Sequence, residues 1–146
     1  MDDRARAVWT RTRLLVWPQR YVLASLPSAL LREAATFVGL THDRFAALVM
    51  ERDEVSLTVS EEQWRASPLR ARALAEAGPM RAITFDVNID LGVCGYLAPA
   101  AARLAEAGVS IVPQCAFLKD HLLVSDKDLP VALRVLEAFI ARCREA

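Results

Sequence analysis

Apolar and polar positions alternate over short stretches along most of the chain, and prolines cut the pattern into compact pieces. In "LLVWPQRYVLASLP" the alternation sets Tyr21, Leu23 and Ser25 on one face and Val22, Ala24 and Leu26 on the other, predicting two short strands around Pro18. The β-rich runs Phe45–Met50 and Val55–Val59 flank the polar turn Arg52-Asp53-Glu54 and predict a hairpin. Ser60 follows with a hydroxyl suited to capping a short helix. "SPLRARALAEAG" predicts a helix from a Ser67 cap to a Gly78 stop, and "MRAITFDV" a strand.

The period then lengthens. Leu97, Ala101 and Leu104 recur at helical spacing, with Pro99 near the helix start and Gly108 in the left-handed position that ends it. "VSIVPQCAF" and "HLLVS" read as strands, and "DKDLPVALRVLEAFIARC" as an amphipathic helix with Leu129, Leu133, Leu136 and Ile140 on one stripe. Strands alternating with helices that pack on one face of the sheet predict an α+β sandwich of the split βαβ kind. No internal repeat or low-complexity linker interrupts the chain, and the Pro68–Pro79 region is the best place for a boundary.

Composition narrows the function classes. The 146 residues are 54% apolar, enough for one core or for two small modules sharing one. Eighteen basic residues balance eighteen acidic ones, which argues against a nucleic-acid or anionic-membrane surface. Arg4, Arg6, Arg11, Arg13 and Arg20 thicken the first segment, and a solvated face accounts for them. Cys94, Cys115 and Cys143 form no CxxC pair, and no apolar run approaches a membrane span. With no signal-like start, a reduced, cytoplasmic protein is expected. Apolar content above the ordinary range suggests burial between subunits, hence a homodimer or other homo-oligomer.

The candidate chemistry lies in "DLGVCGYLAPAAARLAEAGVSI". Gly92 and Gly95 make a small turn that feeds a helix, where unpaired backbone N–H groups and the positive dipole end suit a carboxylate. Asp90 either holds an ammonium or shapes the turn, and the glycines alternatively serve only tight strand–helix packing. The spacing is not GxGxxG and lacks a phosphate-loop lysine, so no nucleotide cofactor is expected. His42 and His121 have no metal-ligand neighbours, and His121 enters an apolar strand as a packing residue. Cys94, near the expected helix start, is a candidate nucleophile, but no base or orienting partner accompanies it. Trp9, Trp17 and Trp64 read as core anchors. No catalytic constellation emerges, and an enzyme is not expected.

The ordered set of "LLVWPQRYVLASLP", "DEVSLTVSEEQW", "RAITFDVNIDLGVCGYL", "LAEAGVSI" and "FLKDHLLVSDKDL" resembles the ACT domain, and more narrowly the short bacterial ACT proteins related to the CASTOR arginine sensors. The resemblance spans residues 13–140, weakest over 28–44. It implies two intertwined ferredoxin-like βαββαβ modules, residues 13–78 and 79–146, and a free amino acid bound at their interface. It also implies a binding turn of Asp90, Leu91, Gly92, Val93, Cys94 and Gly95, with an edge-strand contribution from Ser110 and Ile111. Asp120 stands where the sensor relatives place an acidic residue near the ligand's cationic end. Pro113, the Cys115-Ala116 pair and the Leu118-Lys119 pair depart from that pattern. The second module lacks a fourth strand, which a segment within 13–26 is expected to supply. Two functions stay open: a regulatory sensor of an amino acid, and a ligand-free module that builds an oligomer.

Overall fold

The computed structural model of the protein describes residues 1–145. In chain order its elements are α1 (Asp3–Arg11), β1 (Leu14–Val16), β2 (Tyr21–Pro27), α2 (Leu31–Gly39), β3 (Ala47–Met50), β4 (Glu54–Ser60), α3 (Glu61–Ala66), β5 (Ala75–Phe85), α4 (Ala98–Glu106), β6 (Ile111–Cys115), β7 (Asp120–Ser125) and α5 (Leu129–Glu145). They fall into two compact units: Trp17–Arg81, and Met1–Val16 together with the stretch from Ala82 onward. The division runs through β5 rather than between residues 78 and 79, and residues 13–16 belong with the later stretch.

The unit Trp17–Arg81 is a complete βαββαβ module. Its antiparallel sheet has the order β3-β4-β2-β5, with Val22 opposite Val59 and Ala24 opposite Leu57. The period-two face of Val22, Ala24 and Leu26 meets Val55, Leu57 and Val59 of β4, and Leu30, Ala34 and Trp64 cover them. Ser60 caps α3 by accepting the Gln63 N–H.

The helix expected over residues 67–78 does not form. Ser67 does cap, accepting the Leu69 N–H at 3.2 Å, but only a 3₁₀ segment, Pro68–Arg72, follows. From Ala75 the chain is strand, with Ala75, Glu76 and Ala77 paired to Ser25, Ala24 and Leu23. Alanine-rich sequence favours helix weakly, and the ladder on offer from β2 overrides it. Glu76 fixes the strand start: its carboxylate accepts the Trp64 indole N–H at 2.6 Å and two Arg70 N–H groups at 3.1 and 2.8 Å. Arg70 and then Trp64 hold the Glu76 carboxyl down at about 2. Replacing Arg70 with Ala should raise that titration midpoint toward the ordinary 4.5, read from the Glu76 side-chain carbon resonance.

α2 lies in the segment where the resemblance is weakest. Its signal was present, because Leu30, Ala34, Phe37 and Val38 follow helical spacing and pack on the module's core. α1 was also hidden: its first face is arginine-rich, while Ala5, Val8 and Trp9 are buried at helical spacing. All five arginines of the opening segment are exposed, as a solvated face requires.

The other unit repeats the βαββ order from the second half of β5 through α4, β6 and β7, and ends on α5. Its fourth strand comes from the start of the chain. β1 runs antiparallel to β5, with Leu14 opposite Phe85 and Val16 opposite Ile83, giving the order β1-β5-β7-β6. Ile83, Phe85, Leu122 and Val124 form the sheet side of the core. Trp9, Leu104, Leu136 and Phe139 form the helix side.

Candidate functional site

The first strand and first helix of the two units are joined differently. In Trp17–Arg81, β2 ends at Pro27 and the 3₁₀ turn into α2 starts at Ser28. In the other unit, residues 86–97 intervene between β5 and α4 and contain the glycine turn. One oxygen of Asp90 accepts the Gly92 N–H at 2.7 Å, and the Asp90 carbonyl accepts the Val93 N–H at 2.9 Å. Asp90 thus shapes the turn. A Cβ on Gly92 would stand 2.9 Å from that carboxylate oxygen, so the position takes only glycine without a shift. Gly95 has φ +71°, a left-handed conformation, and its α-carbon faces open space.

The amide N–H groups of Cys94 and Gly95 make no hydrogen bond among the described residues, and no side chain caps α4. These donors lie in the turn that leads into α4, three and two residues before its N-cap Leu97. Val93 packs inward, whereas Leu91, Gly92, Cys94 and Gly95 are exposed. Tyr96 anchors the far end: its carbonyl accepts the Trp9 indole N–H at 2.9 Å, and its hydroxyl bonds Thr12 at 2.8 Å.

Beside the turn, the Ile89 N–H reaches the Leu118 carbonyl at 2.8 Å, bringing the β6–β7 hairpin tip against it. This places Leu91, 76% exposed, and Phe117, also 76% exposed, on neighbouring loops, and Lys119 pairs with Asp86. Asp120 is half-buried and accepts the Cys115 thiol, which pushes the thiol pKa up to about 11. The raised pKa disfavours the Cys115 thiolate.

Along β6 the Ala116 N–H bonds the Lys119 carbonyl at 2.9 Å. Alternation in the antiparallel ladder then turns the main-chain groups of Ile111, Pro113 and Cys115 away from β7. The missing N–H of Pro113 costs the ladder nothing, and the Ile111 amide is left facing outward. Ser110 is exposed just before it. Ile111, Val93 and Leu97 pack on one core, so the turn and the start of β6 belong to the same unit.

His121 is a packing residue in the sheet. Its Nδ1 lies 2.7 Å from the Thr84 hydroxyl, and burial pulls its pKa below 6.5 against the opposing influence of Asp120. A folded pKa below the unfolded value stabilises the neutral form. That stability is complete above pH 6.5 and is lost as pH falls through the depressed value. Thermal melts should show a falling midpoint below pH 6.5, and His121→Gln should flatten the slope.

A cavity that the sequence did not foretell, about 600 Å³, is lined by Gln19, Arg20, His42, Asp43, Glu61 and Gln63, among others. Gln63 accepts the hydroxyl of nearby Thr41, and the Glu61 N–H bonds the Arg20 carbonyl at 2.8 Å. The Gln19 amide donates to one Asp43 oxygen at 3.3 Å, while the other Asp43 oxygen is buried without a hydrogen-bond partner among the described residues. None of the residues predicted to bind a ligand lines it.

Neither a family model nor a curated protein sequence matches the chain. Solved structures do. A Vibrio cholerae protein of unknown function, described as a possible transport protein, is 21% identical with TM-score 0.71, over 92% of this chain and 94% of that one. An Agrobacterium tumefaciens protein is 18% identical with TM-score 0.69, covering 91% and 89%. The regulatory subunit of aspartate kinase from Thermus flavus is 14% identical with TM-score 0.60, covering 86% and 95%. At these identities the likeness is one of fold. The chain has the α+β, ferredoxin-like fold of the aspartate kinase regulatory subunits, two ACT-like modules with an antiparallel sheet. No helix among the described residues is long and apolar enough to cross a membrane.

Proposed function

We propose that this protein is a regulatory module that binds a free amino acid, taking the ligand's carboxylate on the Cys94 and Gly95 amides. One observation carries the reading. Only the unit holding residues 82–97 interposes a loop between first strand and first helix, and that loop ends in donors the fold does not use. A loop needed only to connect the elements would be as short as the one after β2. Val93, Ser110 and the outward Ile111 amide stand as further contacts, and Asp120 as the group nearest the ligand's cationic end. The likeness of fold to the aspartate kinase regulatory subunits supports a ligand of this class. The narrower kinship with CASTOR-like sensors, a role without catalysis and a cytoplasmic setting belong to the same proposal.

A thermal-shift screen of the free amino acids tests it. A ligand at a hundred times its Kd stabilises by about 2.7 kcal/mol, and a flat response to all of them would refute the reading. Gly95→Val should abolish the response while the protein stays folded. Its side chain projects into open space, and the left-handed conformation costs roughly 1–2 kcal/mol. Asp120→Ala should weaken a cationic amino acid more than a neutral one. The charge-assisted contact is worth about 1.5–3 kcal/mol, and equal losses for arginine, leucine and serine would remove its role.

The proposal extends to a homo-oligomer joined by sheet edges. The Glu51 N–H bonds the Glu54 carbonyl at 3.1 Å, so alternation leaves Leu48 and Met50 of β3 with outward main-chain groups. That edge has no proline, whereas Pro113 interrupts the edge of β6. Met50→Pro removes an outward N–H without breaking the β3–β4 ladder. Light scattering should show it as a monomer and the parent chain as a dimer. A monomeric parent chain would count against the assembly.

A further inference from the structure

A second candidate site lies in the unit Trp17–Arg81 and shares no residue with the glycine turn. An open groove of about 530 Å³ runs between α2 and the 3₁₀ segment after α3, within the size range of small-molecule pockets. Phe37 and Leu40 form one wall, and Pro68 and Leu69 the other. A neighbouring depression of about 260 Å³ shares Phe37, Leu40, Ser67 and Pro68, so the apolar surface extends beyond the groove itself. Both walls are fixed. Ser67 caps the 3₁₀ segment and Leu69 is buried, while Phe37 meets the buried Trp64 edge-on with ring centroids 6.4 Å apart. Leu40 is nevertheless 72% exposed, which is costly for an apolar side chain with no covering partner.

The charges around the groove are uneven. Arg65 and Arg70, on adjacent turns, are matched by Glu61 and Glu76. Arg32 and Arg72, which line the groove from its two sides, make no ion pair or side-chain hydrogen bond among the described residues. Glu33 is the only acid in the lining, which leaves it net positive by one charge (two arginines less one glutamate). An apolar floor under uncommitted guanidinium groups complements an apolar body that carries a carboxylate.

We propose that this groove binds an amphiphilic carboxylate, with its hydrocarbon part over Phe37, Leu40, Pro68 and Leu69 and its carboxylate held by Arg32 and Arg72. Decanoate is the probe, titrated against the full chain below its aggregation concentration and followed by methyl NMR of Leu40 and Leu69. Decyltrimethylammonium is the charge-reversed control. Decanoate should shift both methyl pairs saturably and bind at least about tenfold tighter than the ammonium compound, the scale of one charge-assisted contact. The double variant Arg32→Glu with Arg72→Glu should lose about tenfold or more in decanoate affinity. Leu40→Asp, at an exposed position that leaves the fold intact, should lose binding as well. Equal binding of the two amphiphiles, no saturable shift, or unchanged affinity in these variants would overturn the proposal. So would a change of oligomeric state in Leu40→Asp, which would show a second copy covering the groove.

Discussion

A chain lacking residues 1–16 should keep Trp17–Arg81 folded and lose the structure of residues 82–145. The deletion removes β1 and with it the ladder to Ile83, Thr84 and Phe85, leaving one edge of β5 bare. It also removes α1, whose Ala5, Val8 and Trp9 are buried in the core of that unit. Burying a large apolar side chain contributes about 1.5–3 kcal/mol, and lost ladder bonds add to that. Together they rival the roughly 5–15 kcal/mol by which a whole domain is stable. The Arg144 guanidinium loses its acceptors too, the Thr10 and Thr12 carbonyls at 3.1 and 3.0 Å. Trp17–Arg81 owns all four strands of its sheet and depends on none of this. Amide NMR spectra should therefore stay dispersed for residues 17–81 and collapse for the α4 and α5 residues. A synthetic peptide of residues 1–16 should restore the lost signals. Native dispersion of α4 and α5 in the truncated chain would sink the idea, as would a stable, folded fragment starting at Ala82.

Trp9→Ala should be the most damaging single substitution in the same unit, at about 3–5 kcal/mol. Trp9 is fully buried, stacks on Tyr96 at 4.4 Å, and meets Phe85 and Phe139 edge-on at 5.0 and 4.8 Å. Truncation leaves a cavity among three rings and strips the Tyr96 carbonyl of its donor. Because Tyr96 directly follows Gly95, the damage reaches the glycine turn, and any amino-acid-induced stabilisation should shrink with the fold. Trp9→Phe separates the two effects, keeping ring packing while deleting the indole N–H. Chemical denaturation of the three proteins measures both. A cost below about 1 kcal/mol for Trp9→Ala would contradict the role given to this residue.

Much of the fold was legible because its strands are half-buried and obey a period of two. Val22, Ala24 and Leu26 declare a core face on their own, and the hairpin around Asp53 follows from turn chemistry. Gly108 was also readable, since its φ of +73° is the conformation a helix-ending glycine adopts. The stretch from Ser67 to Gly78 misled because its side chains are mostly exposed and its alanines favour helix. Only the pairing with β2, invisible to local pattern, makes it strand. The N-terminal helix was obscured by arginines that crowd its solvent face. At the site, the sequence pointed to the glycine turn through residue size and spacing. It left Asp90 open between holding an ammonium and shaping the turn, and was silent on the Cys115–Asp120 contact and on Tyr96 as an anchor. The Cys115–Asp120 contact depends on how the β6–β7 hairpin tip closes, and the Tyr96 anchor on Trp9 and Thr12 from the far end of the chain.

The central claim is that the Cys94 and Gly95 amides receive a ligand's carboxylate. Titration of the ¹⁵N-labelled full chain with each free amino acid, followed at those two amide resonances, tests it most directly. At least one amino acid should move both signals saturably, together with Ile111, while the amides of α2 and β3 stay still. The same amino acid with its carboxylate converted to an amide should move neither. Saturable shifts that bypass Cys94 and Gly95, or equal shifts from acid and amide, would contradict the account.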